Sequence, residues 1–183
     1  MLCHTMNDKF QYRLSAKHKE EIAQNLIDIL SKGSVITDLT RTFVGNWILT
    51  GPDEKRKAFF DVWDIVLKNY LPQSRPVLFR ACKRRYDGRI ASFTGCLESA
   101  RRFSKGKGML IICDTKETLQ FENRLYQPGQ YKHTFYPLLK VLKIAKEHGG
   151  WGFSDRLLEQ YVGEQEYIMR MDLANMHTFK WVK

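Results

Sequence analysis

Between residues 17 and 31 the apolar positions are Ile22, Leu26, Ile29 and Leu30, spaced three and four apart. That spacing predicts an amphipathic helix, and Gly33 stands where a helix-ending residue belongs. Residues 53–70 read the same way. Phe59, Phe60, Trp63, Val66, Leu67 and Tyr70 form a stripe after Gly51-Pro52, with Asp53 and Glu54 early. The stretch Val35 to Leu49 is mixed and has room for another short helix. After Pro72 the period changes from helical to strand-like. Residues 76–81 (PVLFRA) and 90–94 (IASFT) predict short strands, and 109–113 (MLIIC) predicts a buried one. Residues 97–103 suit one or two helical turns. Residues 115–136 are polar and irregular. Residues 137–148 predict a helix ended by Gly149-Gly150, and Ser154 can cap a short helix to about Val162. Residues 164–171 and 176–182 predict the last strands.

The pattern implies an α+β domain spanning 1–183, with a helical part over 1–72 and a β-rich part over 73–183. Apolar content of 43% and aromatic content of 13% are enough for a folded core. No apolar stretch approaches the ~20 residues of a membrane-spanning helix. The opening MLCHTMNDKF lacks the features of a signal peptide. A cytoplasmic protein with no membrane partner is therefore expected. Cys3, Cys82, Cys96 and Cys113 have no CxxC spacing and are expected to be reduced thiols. The five histidines have no metal-ligand spacing, so no metal is expected. No dinucleotide-binding, phosphate-loop or nucleophile-elbow pattern is present. Gly106-Lys107-Gly108 reads as a hairpin connection.

The net charge is +10, from 30 basic and 20 acidic residues. Such a charge favours polyanionic partners. It raises one reading outside enzymology: a basic nucleic-acid-binding module, with Lys83-Arg84-Arg85 and Arg101-Arg102 as its clusters. Each cluster taken alone reads as a solvated basic face.

One doublet stands out. Glu164 and Glu166 flank Gln165 at the head of the apolar run Tyr167-Ile168-Met169. On a strand, residues two apart share a face, so the two carboxylates would repel unless a cation meets them. Two further features precede this pair: Arg80 inside an apolar strand, and the hydroxyl-bearing Ser92 and Thr94 leading into a helix.

In this order, Leu78-Phe79-Arg80, then Thr94-Gly95-Cys96-Leu97 with Ala100 and Phe103, then Glu164-Gln165-Glu166-Tyr167-Ile168-Met169, the chain resembles the mono-ADP-ribosyltransferases of the Arg–Ser–Glu clade. It is most like their small phage-encoded Mod-type members. The resemblance covers about residues 77–170. It departs from the family's Ser-Thr-Ser triplet, because only Thr94 keeps a hydroxyl there and Ser92 lies two residues upstream.

The resemblance implies helices packed on a core of two small mixed sheets around a cleft for NAD, which is a substrate. It implies that Arg80 holds NAD and that Ser92 or Thr94 orients the nicotinamide-side ribose. Phe103 would line the NAD site, Glu166 would stabilise the ribosyl cation, and Glu164 would present the acceptor. Trp151, Phe153 and Tyr161 fall in the family's substrate-recognition segment. The implied acceptors are arginine side chains of host proteins, RNA-associated ones such as ribosomal proteins or RNA polymerase included, in the host cytoplasm. Nucleic-acid contact is compatible with the same surface.

Overall fold

A computed structural model of the chain describes residues 13–51, 55, 57–84, 87–119, 121–122, 124–131, 133–150 and 154–181. Three helices come first: α1 (Ala16–Lys32), α2 (Asp38–Leu49) and α3 (Lys57–Asn69). Ser15 caps α1 by accepting the His18 N–H, and Gly33 ends it in the left-handed region at φ 71°. Then come β1 (Val77–Cys82), β2 (Ile90–Thr94), α4 (Leu97–Ser104), β3 (Met109–Asp114) and α5 (Thr115–Thr118). The chain closes with β4 (Phe135–Pro137), α6 (Leu138–Glu147), α7 (Ser154–Val162), β5 (Glu166–Arg170) and β6 (His177–Lys180). No helix among the described residues is long and apolar enough to cross a membrane.

The strands form one antiparallel sheet in the order β4-β5-β2-β1-β3-β6. This corrects the expectation of two mixed sheets. Strand content is local, whereas pairing direction depends on the route of the connections, which periodicity does not carry. The sheet nevertheless has a waist. β1 and β2 meet only at Phe79 and Thr94, while β1 pairs with β3 at six positions from Val77 to Cys82. Two three-stranded halves therefore part from each other beyond Phe79 and Thr94.

Alternation along β2 and β5 sorts side chains to two cores. Ile90 and Ile168 join Tyr136 against the helices, in a cluster with Leu26, Phe43, Trp47 and Trp63. Ala91, Phe93 and Met169 point the other way, to Leu78, Ile111 and Phe135. In the helical core the Trp63 ring lies 5.5–5.6 Å from the rings of Phe43, Trp47 and Tyr136, within the range of favourable tilted and edge contacts. The Tyr136 hydroxyl donates to the Leu26 carbonyl at 2.6 Å.

Several boundaries differ from expectation. The mixed stretch before residue 50 is a three-turn helix that buries Phe43, Val44 and Trp47. The segment 115–136 contains α5 and the start of edge strand β4, whose three residues are too few for a period to register. The turn at residues 105–108 joins helix α4 to β3 and so is not a hairpin. Gly108 sits at φ 83°, and a Cβ there would lie 2.5 Å from the Cys82 carbonyl oxygen. Gly108→Ala is expected to lower stability by about 1–3 kcal/mol, read as a drop in the urea midpoint without a change in slope.

Candidate active site

The parting of the two sheet halves opens a cleft of about 550 Å³ between β1, β2, β5, α4 and the end of α2. Its lining includes Arg80, Ser92, Thr94, Phe103, Tyr161, Glu164 and Glu166, so the structure brings these together. Trp151 and Phe153 lie outside the described residues.

Glu166 opens β5, opposite Thr94 in register. The alternation that turns Ile168 to the helices turns Glu166 and Arg170 the same way. Arg170 accordingly pairs with Asp64 of α3. Glu166 meets α2: the Trp47 indole N–H donates to Oε1 at 3.4 Å. The Ser92 hydroxyl donates to the same oxygen at 2.5 Å. Burial pushes the Glu166 carboxyl above its usual range, and the Ser92 and Trp47 hydrogen bonds, then Lys55 and Arg80, oppose that push. A carboxylate held this way is partly desolvated, yet faces two cations.

Arg80 occupies the waist. Where β1 leaves β2, its Nη1 donates to the freed Ser92 carbonyl at 2.5 Å. Its Nε has no hydrogen-bond partner among the described residues. Burial lowers its pKa, but a guanidinium stays charged across the accessible pH range. Its fixed fork is suited to phosphate, which a lysine would meet only as a point charge.

Ser92 and Thr94 have separate tasks. The Thr94 hydroxyl is spent on backbone: it donates to the Glu164 carbonyl and accepts the Cys96 N–H at 3.0 Å. Ser92 is the hydroxyl in contact with Glu166.

Glu164 is not on the strand. β5 begins at Glu166, and Gln165 takes φ 44°, a left-handed conformation uncommon outside glycine. Simple alternation therefore does not place Glu164. Instead, three bonds stitch this turn to the start of α4. These are Thr94 to the Glu164 carbonyl, the Gly95 N–H to Gln165 O at 3.1 Å, and Ser99 to Gly163 O at 3.0 Å. The Glu164 pKa is raised by burial and then by Glu166, and Arg102 works against both. Arg102 Nη2 lies 3.6 Å from Glu164 Oε1. Its guanidinium also lies 5.6 Å from the Phe103 ring, which is 57% exposed at the cleft rim. Tyr161 packs against the helical core and also lines the cleft, its hydroxyl pKa raised by burial and then by the two glutamates.

Two cleft residues were missed in the sequence: Trp47 and Lys55. Trp47 read only as a possible position on a short helix. Lys55 carries no local signal, because what defines it is its bonds to the end of α2 and the reach of its charge to Glu166. The exposed Arg102, which read as part of a solvated face, in fact balances Glu164.

Comparison with known proteins finds no matching family model, curated protein or solved structure. The functional reading therefore rests on this cleft's residues and geometry.

Proposed function

We propose that the chain is an NAD-dependent mono-ADP-ribosyltransferase that modifies arginine side chains of host proteins. The carrying observation is Glu166. It is a desolvated carboxylate fixed by Ser92 and Trp47, faced by Arg80, in a cleft that also holds a second carboxylate, Glu164. A volume of about 550 Å³ lies within the range of small-molecule sites. The lining suits the substrate. Arg80 offers a fork to a pyrophosphate, and Phe79 and Phe103 offer aromatic surface to the rings of NAD.

In the proposed reaction the bond between ribose C1′ and the nicotinamide nitrogen breaks, and nicotinamide leaves neutral with the bonding pair. Glu166 faces the oxocarbenium character that develops at C1′ and holds the neighbouring 2′-hydroxyl. Glu164 orients the acceptor guanidinium and takes its proton as the new C1′–N bond forms. An acceptor arginine would replace Arg102 at Glu164, guanidinium for guanidinium.

The test is transfer from labelled NAD to proteins of a bacterial lysate. The parent should label discrete proteins, and Glu166→Ala should not. Labelling that persists undiminished in Glu166→Ala would remove its proposed role. A second expectation concerns pH. The Ser92 hydrogen bond lowers the Glu166 pKa, so Ser92→Ala should raise it. The acid limb of the pH–rate profile should then move to higher pH, with the alkaline side unchanged.

The competing reading, a basic nucleic-acid-binding module, draws on the exposed Lys83, Arg84, Arg101 and Lys105. It requires RNA or DNA binding that weakens steeply with salt and is indifferent to Glu166→Ala. The same basic surface can serve the transferase by steering it to RNA-associated targets.

A further inference from the structure

Nothing in the resemblance assigns a role to the helical part over residues 1–72, yet that part supplies two of the groups around Glu166. We propose that Lys55 is a positioning residue of this site: it clamps the end of α2 so that the Trp47 indole and its own charge both bear on the Glu166 carboxylate. The inference rests on the transferase reading for its catalytic consequence, but its geometric content stands without it.

Lys55 Nζ donates to the Trp47 carbonyl at 2.5 Å and to the Thr50 carbonyl at 2.9 Å. These carbonyls lie at the C-terminal end of α2, where the unpaired backbone oxygens carry partial negative charge and favour a cation. The same ammonium lies 3.8 Å from the centroid of the Trp47 ring, a cation–π contact. Lys55 thus grips Trp47 twice, by its backbone and by its ring. The other edge of that ring donates to Glu166 at 3.4 Å. This distance is at the long limit of a hydrogen bond, so a small rotation of the indole breaks it. Trp47 is buried and wedged against Phe59, Phe60 and Trp63, so its orientation is set by packing plus the lysine grip.

The grip depends on a proton. Burial lowers the Lys55 pKa to about 8, with Glu166 resisting the shift. The other charged or titratable groups facing this space are Glu164 and Glu166 at the head of β5, Arg80 on β1, Arg89 before β2 and Tyr161 on α7. Burial raises both carboxyls from their ordinary 4.5 and pushes the tyrosine upward, and the Arg80 guanidinium stays charged. A transition near pH 8 that disappears in Lys55→Met belongs to Lys55. Above it the ammonium loses its charge, the cation–π contact is lost, and Glu166 loses one of the two cations that hold its pKa down.

Two readouts test the proposal. The first needs no activity: the indole N–H resonance of Trp47, assigned by its loss in Trp47→Phe. It should shift with a midpoint near pH 8 in the parent, and that step should be lost in Lys55→Met. The second is nicotinamide release from NAD across pH. Lys55→Met should lower kcat about tenfold, the scale of one desolvated cation contact, with the KM for NAD nearly unchanged. Its acid limb should move to higher pH. Lys55→Arg, which keeps the charge, should recover kcat and extend activity past the parent's alkaline limb. An indole resonance that does not move between pH 6 and 9.5, or a Lys55→Met protein with the parent's kcat and both limbs, overturns the proposal. A parent that releases no nicotinamide while its indole titrates near pH 8 defeats the transferase reading and upholds the lysine–tryptophan–glutamate coupling.

Discussion

Glu166→Gln is expected to slow nicotinamide release by about 100- to 1,000-fold, while the protein melts at the same temperature or higher. The loss follows from removing one preorganised charge beside the developing cation, typically about 2.7–4 kcal/mol. The melting behaviour follows from linkage. Burial raises the folded-state pKa of Glu166 above its ordinary value. A carboxyl with a raised folded pKa favours the folded state when protonated. That contribution is full below pH 4.5 and disappears as pH rises through the folded pKa. Above that pKa the chain therefore carries an ionised, desolvated group at a cost in stability. Glutamine removes the charge and keeps an oxygen to accept from Ser92 and Trp47. A variant with lower stability and lower activity together would mean that Glu166 supports the fold and that its loss acts through unfolding.

Trp47→Ala is expected to be among the most damaging single changes to the helical core. Trp47 is 1% exposed, and its ring contacts Phe59, Phe60 and Trp63. Truncating a buried tryptophan costs about 3–5 kcal/mol through lost contacts and the cavity left behind. That is a large share of the 5–15 kcal/mol typical of a folded domain. Trp47→Phe separates the two roles of this residue. It keeps most of the buried aromatic area and should cost about 1.5 kcal/mol or less if the core repacks. It removes the indole donor, so the acid limb of activity should move to higher pH as the Glu166 pKa rises. Denaturant midpoints for the pair and one pH–rate profile for the phenylalanine variant check both statements. Equal destabilisation by the two changes would place the value of Trp47 in its N–H bond, contrary to the packing argument.

The sequence carried the elements well where one period ran for two turns or more. Ile22, Leu26 and Ile29 of α1 and Phe59, Trp63, Val66 and Leu67 of α3 are buried together, and Gly33 takes the left-handed position its place implied. The strands at 77–82, 90–94 and 109–114 lie within one or two residues of their expected bounds. What local pattern did not carry was order and contact across distance. The antiparallel pairing of β2 with β5 and the waist at Phe79 and Thr94 depend on connections rather than composition. Glu164 reached the cleft through a turn with Gln165 left-handed, which an Glu-x-Glu strand pattern does not reveal. The choice between Ser92 and Thr94 was open in the sequence because both lie on one face. In the structure the Thr94 hydroxyl is drawn to the Glu164 carbonyl, and the Ser92 hydroxyl meets Glu166. Trp47 and Glu166 are 119 residues apart, and no spacing rule connects them.

Glu166 is expected to drive transfer of ADP-ribose from NAD to a guanidinium. The most direct measurement is mass spectrometry of a small guanidine such as agmatine after incubation with NAD and the purified chain. An ADP-ribosyl adduct with an equal amount of nicotinamide is expected, both reduced at least 100-fold in Glu166→Gln. Equal adduct formation by the parent and Glu166→Gln, or no nicotinamide release by a folded parent at any pH, would contradict it.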